Sequence, residues 1–395
     1  MKGSDAAVKL LRFGSAIFLL FSLLLVAQTG LAKEPEFDLK AQASLLMEVN
    51  SNKIIWAENS HERLYPASLT KIMSLLVVIE QLEQKYFFLE DQVQISARAS
   101  AMGGSELFLS EGDLVSLGDL LIGMAVGSAN DAAVAVAEHI GGSVESFVEM
   151  MNEKARYLGM ENTNFLNPHG LHHPEHYSSA YDIMLMSLAI LEYPQIHEWA
   201  TVWMDEHFLK GKIKSGEVFL SNTNRLVYSY PGCDGLKTGF TREAGNGIAA
   251  TARRNQTRFL AVVLGAPTVI ERYEAAVTLL NYGFSRYKAL PIVDKNDVVA
   301  TVTVDKGKPA SLDLVAQNRF GLLLPRGAEE SFTREIVLAP YRLPIRKGDK
   351  LGELVVVCSE GNKLSVELVA AADVNRASPT VIFLRLLNRW LRFGR

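Results

Sequence analysis

Tyr65–Ser74 reads YPASLTKIMS and runs straight into LLVVIEQL, so Lys71 stands one helical turn after Ser68 where the chain is about to bury itself. At i and i+3 of a helix the two side chains share a face, and Ser68 Oγ and Lys71 Nζ can approach each other. A buried ammonium is expensive unless it is paired or neutral. A neutral lysine there would be a base beside a nucleophile. A solvated lysine after an N-cap serine would be an ordinary helix start, with Pro66 and Ala67 leading in. Ser-x-x-Lys is too short to decide between these readings. Two further stretches supply context: VGSANDAA carries Ser128 and Asn130, and DGLKTGFT carries Lys237, Thr238 and Gly239. Three such elements in a fixed order are far more specific than any one of them.

The elements that must position these groups follow from periodicity. SLTKIMSLLVVIEQLEQ reads as a helix. SLGDLLIGMAVGSANDAAVAVAEHIGG reads as helix, break, helix, with Gly127–Asn130 as the break and Gly141–Gly142 as the stop. SSAYDIMLMSLAILEY is another apolar-periodic helix. ASLLMEVNSNKIIWAEN predicts a hairpin around Asn50–Lys53, NGIAATARRNQTRFLAVVLGAP predicts two strands around a polar tip at Arg253–Thr257, and TVIERYEAAVTLLNYGFSRY closes the region as a helix. Strands at both ends of a mostly helical middle point to an antiparallel sheet with helices packed on it, an α+β (mixed α/β) architecture. After Leu290 the texture changes to short runs of period-2 alternation separated by Gly, Pro, Asn and Lys, so 290–374 is expected to be a small all-β domain. It has no dense constellation of reactive residues, which favours a spacer or docking role.

Both ends of the chain read as membrane-directed. Lys2, Lys9 and Arg12 precede the uncharged run Phe13–Ala32, and Gly30 and Ala32 stand where a cleavage site before Lys33 requires small residues. Residues 1–32 are therefore expected to be a signal peptide, with 33–289 the main domain. In 375–395, Arg385, Asn388, Arg389, Arg392 and Arg395 form one helical stripe, while Phe383, Leu384, Leu387, Trp390 and Leu391 lie on the other side. That is the pattern of a helix lying in a membrane interface, too short and basic to span it.

Composition excludes several classes. With 395 residues, 48% hydrophobic and 21% charged, the chain can bury a real core. A net charge of −4 leaves no electrostatic footprint for nucleic acid. Cys233 and Cys358 fit neither a disulfide framework nor a metal knuckle. HGLHHPEH groups His169, His172, His173 and His176, but in a Pro/Gly loop where a metal is not expected. GLKTG lacks the spacing of a phosphate loop, and no Rossmann glycine pattern is present. No cofactor is expected.

Serine-lysine, Ser-x-Asn and Lys-Thr-Gly in this order form the penicillin-recognising serine signature. The sequence resembles the serine-type D-Ala-D-Ala carboxypeptidases, the low-molecular-weight penicillin-binding proteins. The resemblance extends through AMGGSELFLSEGD, NPHGL, HYSSAYDIM, IRKGDKLGELVV and the amphipathic tail. It implies a β-lactamase/transpeptidase-like domain with helices on both faces of the sheet. It further implies removal of the terminal D-alanine from peptidoglycan stem peptides on the outer face of the cytoplasmic membrane, and inhibition by β-lactams, which imitate D-Ala-D-Ala. By the same resemblance Ser68 is the nucleophile, Lys71 its base, and Ser128 the relay to the leaving amine. Asn130 holds the peptide amide and orients Lys71. Lys237 and Thr238 grip the terminal carboxylate, the backbone N–H groups of Ser68 and Phe240 form the oxyanion hole, and Asp182 supports deacylation. Two positions depart from many relatives: Ala129 in place of glycine, and Phe240 in place of histidine. Neither removes a reactive group.

Two rival functions are less consistent with the sequence. A class A β-lactamase needs a glutamate on a loop to activate the deacylating water; Glu161 lies between the second and third motifs, but Asn164 has the wrong spacing for that loop. A catalytically dead scaffold is disfavoured because every reactive position is intact.

Overall fold

The apolar runs at the two ends of the first 290 residues meet in one sheet. β1 (Ala43–Glu48) is buried at every position and forms a hairpin with β2 (Lys53–Glu58), which is half-exposed. The short strands β3 (Gln92–Gln94) and β4 (Leu114–Ser116) pair apart from that sheet, as do β5 (Met204–Ile213) and β6 (Gly216–Ser221). β7 (Cys233–Thr241), β8 (Gly245–Arg254) and β9 (Thr257–Ala266) complete the antiparallel sheet in the order β2-β1-β9-β8-β7. β1 pairs with β9, so the first strands lie beside the last and everything between is excursion. β7, which carries Lys237 and Thr238, is an edge strand.

The structure is a computed structural model that describes residues 37–328, 331–358 and 362–393. The expected signal peptide lies outside the described residues. Residues 37–39 carry no regular secondary structure, and Lys40–Arg395 form one compact unit.

Both faces of the sheet are covered. Leu260, Val262 and Leu264 of β9 join Leu45, Met47 and the helix Thr70–Glu83 in the main apolar core. Phe259, one residue out of that phase, meets Phe284 of the helix Val269–Arg286 edge-on at 4.8 Å. Period 2 sends alternate side chains to opposite faces, and a strand buried on both reads as an unbroken apolar run. The helix Thr70–Glu83 is itself buried at every position from Thr70 to Ile79. It has no exposed stripe in that stretch, because other elements enclose it on all sides.

Helix starts explain which hydroxyls are free. Ser116, Ser143, Ser179 and Thr268 each accept a backbone N–H of their helix's first turn, the usual N-cap. The two helices that follow the reactive motifs, Thr70–Glu83 and Asn130–Gly141, have no side-chain cap. Ser68 sits inside a 3₁₀ turn, Ala67–Leu69, ahead of the helix, so its hydroxyl is not spent on capping.

The C-terminal part is all-β, as its alternation indicated. β10 (Tyr287–Val293) pairs with β14 (Phe320–Pro325). β11 (Val298–Thr303), β13 (Ser311–Ala316), β15 (Phe332–Leu338), β16 (Lys350–Cys358) and β17 (Lys363–Ala370) form a sheet in the order β11-β13-β17-β16-β15. β12 (Gly307–Lys308) pairs with β18 (Asn375–Arg376). Its core, around Leu312, Leu314, Leu354, Val366 and Leu368, is distinct from the main one. The helix Pro379–Phe393 follows. Arg385 donates to Gly307 O at 2.7 Å, while Phe383, Leu384 and Leu387 are exposed. The side chains of Asn388, Arg389, Trp390, Leu391, Arg392 and Arg395 lie outside the described residues. Cys233 and Cys358 are unpaired.

Candidate active site

Ala67 takes a left-handed backbone, φ 47°, immediately before Ser68. For an L-residue this costs about 1–3 kcal/mol, and such strain persists only where the surroundings enforce it. Gly170 supplies the enforcement: its Cα lies so close to Ala67 O that a Cβ would fall 1.9 Å from it. One turn on, Lys71 is completely buried. Its Nζ donates to Asn130 Oδ1 at 2.7 Å and to His169 O at 2.8 Å, and lies 3.4 Å from Ser68 Oγ. A neutral amine has two hydrogens and one lone pair. With both hydrogens committed to these acceptors, the lone pair is left for the Ser68 hydroxyl. Burial, with the Lys237 charge as second cause, holds Lys71 well below the ordinary lysine range; Asp131 pulls weakly the other way.

The histidine-rich loop holds this arrangement together. His169 contributes its backbone carbonyl, and its Nδ1 accepts Leu171 N–H. His176 Nδ1 accepts Leu166 N–H at 3.1 Å, so a neutral His176 carries its proton on Nε2 and donates to Thr70 Oγ1 at 2.8 Å. Burial pushes His169 down to about 3 and His176 to about 4, so both are neutral at neutral pH. Ser74 Oγ donates to Pro168 O at 2.6 Å. These contacts tie the loop to the helix that carries Lys71. No group of three or more His, Cys, Asp or Glu among the described residues is placed to hold a metal.

Asn130 is pinned on both sides. Its N–H donates to Ser105 O at 2.7 Å and its Nδ2 to Gly103 O at 2.8 Å, which fixes Oδ1 toward Lys71. Gly104, at φ 94°, leaves the room, since a Cβ there would lie 2.8 Å from Asn130 Nδ2. The buried Asp131 carboxylate accepts the N–H groups of Leu107, Leu109 and Ala132 and so anchors the 105–109 segment. Ser128 is left-handed at φ 66°, held between the two helices, and lines one cleft with Ser68. Ala129, one of the two departures, is fully buried.

The cleft has a volume of about 930 Å³ and passes along β7. Lys237 is buried beneath it, with Nζ 3.3 Å from Thr223 Oγ1, and Thr238 lines it. Gly239 packs directly on the nucleophile turn: a Cβ there would lie 3.0 Å from both Ser68 N and Pro66 O. That contact keeps the β7 backbone beside the Ser68 N–H. Phe240 lines the cleft and is 62% exposed. Gly239→Ala is expected to push β7 off the turn and lower penicillin acylation by roughly 10²–10³, the usual loss for one oxyanion donor. Stopped-flow acylation measures it, with circular dichroism as the fold control.

A family model described as D-alanyl-D-alanine carboxypeptidase, peptidase S11, matches residues 28–268. The chain belongs to the D-alanyl-D-alanine carboxypeptidases of peptidase family S11. A second model, described as the penicillin-binding protein 5 C-terminal domain, matches residues 287–376 of this carboxypeptidase. D-alanyl-D-alanine carboxypeptidase DacF of Bacillus subtilis is 37% identical over 390 residues, covering 97% of this chain and 99% of that protein. The crystal structure of penicillin binding protein 5 from Haemophilus influenzae matches with a TM-score of 0.70 at 33% identity, over 87% of this chain and 99% of that one. The ampicillin-bound structure of penicillin-binding protein D2 from Listeria monocytogenes matches with a TM-score of 0.56 at 28% identity, over 63% of this chain and all (100%) of that one.

Asp182 lies in the first turn of the helix Ala180–Ile190 of this carboxypeptidase. Asp182 is buried, and its carboxylate accepts Asn162 N–H at 2.8 Å and Thr163 Oγ1–H at 2.7 Å. Both lone-pair directions on Oδ2 serve the 162–163 turn, and no hydrogen bond joins it to Ser68, Lys71 or Ser128 among the described residues. Its Oδ2 anchors the 162–163 turn from a helix start, and its burial shows that it is not a surface carboxylate.

The sequence reading also missed part of the carboxypeptidase's cleft. Arg272 is 6% exposed, lines the cleft, and its Nε is buried without a hydrogen-bond partner. It presses on Lys237, whose pKa burial and then Arg272 lower to about 7. The β5–β6 hairpin and the segment after it bring Trp203, Ser221, Thr223 and Tyr228 to the cleft. The alternating Val218 and Leu220 were a legible strand signal there. Nothing local marked Arg272, which falls on a helix read only for its apolar face.

Proposed function

We propose that this carboxypeptidase removes the terminal D-alanine of peptidoglycan stem peptides through an acyl-enzyme on Ser68. The observation that carries this reading is Lys71, fully buried, with both amine hydrogens committed and Ser68 Oγ next to the lone pair. Ser68 attacks the carbonyl between the two D-alanines while its proton passes to Lys71 Nζ. The oxyanion forms against the N–H groups of Ser68 and Phe240. The tetrahedral intermediate collapses as the C–N bond breaks, and Ser128 passes the proton from Lys71 to the departing amine. Lys237, Thr238 and Arg272 hold the carboxylate of the leaving D-alanine, the charge that Arg272 and Lys237, without an acidic partner among the described residues, call for. Asn130 orients Lys71 and holds the peptide amide. Water, activated by the same lysine, then attacks the Ser68 ester and releases the shortened peptide. A β-lactam enters the same path, and the ampicillin-bound Listeria relative supports its doing so here.

The test is direct. Full-length protein incubated with a D-Ala-D-Ala-terminated peptide releases free D-alanine. Incubation with penicillin adds the antibiotic's mass to the peptide containing Ser68. Rapid penicillin turnover without D-alanine release would instead indicate a β-lactamase, and no adduct on Ser68 would indicate a scaffold.

Export through residues 1–32 and action at the outer face of the cytoplasmic membrane complete the reading. No helix among the described residues is long and apolar enough to cross a membrane. The helix Pro379–Phe393 supports attachment in the interface instead, with Phe383, Leu384 and Leu387 exposed and no acidic residue after Asp373. Deletion of Thr380–Arg395 is expected to shift the mature protein from the membrane pellet to the soluble fraction; retention in the pellet would disprove the anchor.

A further inference from the structure

Both hydrogens of a neutral Lys71 need acceptors, and one acceptor is a backbone carbonyl in a loop outside any helix or strand. His169 O accepts from Lys71 Nζ at 2.8 Å, out of the bend at residues 167–169. The preceding carbonyl, Pro168 O, accepts from Ser74 Oγ at 2.6 Å. Lys71 and Ser74 are three residues apart in the helix Thr70–Glu83 and share a face. Successive carbonyls of an extended chain point to opposite sides, so two that meet one helix face require a tight bend. Pro168 fixes one dihedral of that bend. The Asn167 side chain closes it: Oδ1 accepts Gly170 N–H at 2.6 Å and His169 N–H at 3.3 Å, and Nδ2 donates to Leu171 O at 3.0 Å. This is the bonding of a helix N-cap, used where no helix follows. Pro168, His169 and Ser74 are buried and Asn167 is half-buried, so these ties are shielded from water.

We propose that Asn167 and Ser74 are positioning residues for Lys71. Asn167 bends the chain from within and Ser74 seats the bend on the helix, which aims His169 O at Nζ and leaves the amine lone pair for Ser68. Neither side chain hydrogen-bonds Ser68, Lys71 or Ser128 among the described residues. The proposal rests on the reading of Lys71 as the base of Ser68 and adds the groups that aim it. It carries a pH signature. A carbonyl acceptor favours the ammonium more than the neutral amine, so releasing His169 O lowers the proton affinity of Lys71. Asp131 from the helix Asn130–Gly141, Lys237 from β7 and the His169 ring face Lys71. Neutral substitutions at 167 and 74 change none of those charges.

The test follows penicillin acylation of the full chain against pH, for the unmodified protein, Asn167→Ala, Asn167→Ser and Ser74→Ala. Serine keeps an N-cap acceptor and alanine does not. Asn167→Ala is expected to slow acylation by about 10- to 100-fold, the scale of a misplaced catalytic group. Its rising limb is expected to move to lower pH by about one pH unit, the worth of one charge-assisted hydrogen bond. Asn167→Ser is expected to regain most of both effects, and Ser74→Ala to move rate and limb in the same direction as Asn167→Ala. In a Lys71→Met background Asn167→Ala is expected to slow acylation no further, because its effect runs through the amine. An unchanged rate and limb in Asn167→Ala would overturn the proposal. So would a limb that moves to higher pH, the sign of water entering, or equal slowing with and without Lys71. If circular dichroism shows Asn167→Ala to be unfolded, Ser74→Ala decides by the same criteria. Failure of the unmodified chain to be acylated would instead count against the Ser68 reading, so the two failures are distinguishable.

Discussion

Ser68→Ala is expected to abolish D-alanine release and penicillin acylation together, a fall on the order of 10⁶ in kcat by comparison with other serine nucleophiles. The fold should survive, because the Ser68 hydroxyl caps no helix and its one near polar neighbour is Lys71. Peptide binding should survive as well, since Lys237, Thr238 and Asn130 are untouched. The measurement is D-alanine release, intact mass after penicillin, and binding of a D-Ala-D-Ala peptide by calorimetry. Residual penicillin adduct in the variant would move the nucleophile to another hydroxyl in the cleft, and Ser128 would be the first to examine.

Lys71→Met is the second large effect. Methionine fills the volume of a side chain that is wholly buried, so packing is kept while the base is removed. Acylation by penicillin is expected to fall by about 10²–10⁴, the range for a general base. Asn130 Oδ1 and His169 O lose their donor, at about 1–3 kcal/mol each when no water replaces it; thermal melting reads this separately from rate. The pH profile gives the sharper check. Lys71 works only when neutral, so kcat/KM rises with pH through its depressed pKa. Lys237 grips the carboxylate only when protonated, so kcat/KM falls as the free enzyme loses that proton at about 7. Bound carboxylate stabilises the Lys237 charge, and the falling limb of kcat should therefore lie at higher pH than that of kcat/KM. In Lys71→Met the rising limb should vanish and the falling limb remain. Coincident falling limbs in kcat and kcat/KM would disprove the role of Lys237. The same shifts set a stability trend with the opposite dependence from a paired lysine. Between about 7 and the ordinary lysine range the unfolded chain binds more protons, so folding stability rises with pH there.

Much of this was legible in the chain because the decisive relations were local. Ser68 and Lys71 three residues apart must share a face if the segment is helical, and the apolar run after them makes it helical. Ser128 and Asn130 fall at a break that Gly127 and the periodicity on both sides announce. The two apolar runs around the polar tip at Arg253–Thr257 predict strands, and their pairing follows from the short turn that joins them. The all-β texture after Leu290 was readable for the same reason, since side-chain phase in a strand is a property of neighbours two residues apart.

Tertiary structure decided what those groups can do. Whether Lys71 is a base depends on desolvation, and that comes from helices and a loop remote in sequence: Asn130 and His169 lie 59 and 98 residues away. Within the histidine-rich loop, burial keeps His169 and His176 neutral, and they bond Leu171 N–H, Leu166 N–H and Thr70 Oγ1. Asp182 stands within a recognisable motif, and only the fold shows that its Oδ2 anchors the 162–163 turn. Arg272 comes from a helix with no reactive pattern and reaches the cleft only through the packing of that helix on β8 and β9. Spacing along a helix or strand dictates direction, which sequence encodes locally; proton affinity and charge balance depend on everything that packs around a group, which only the folded chain assembles.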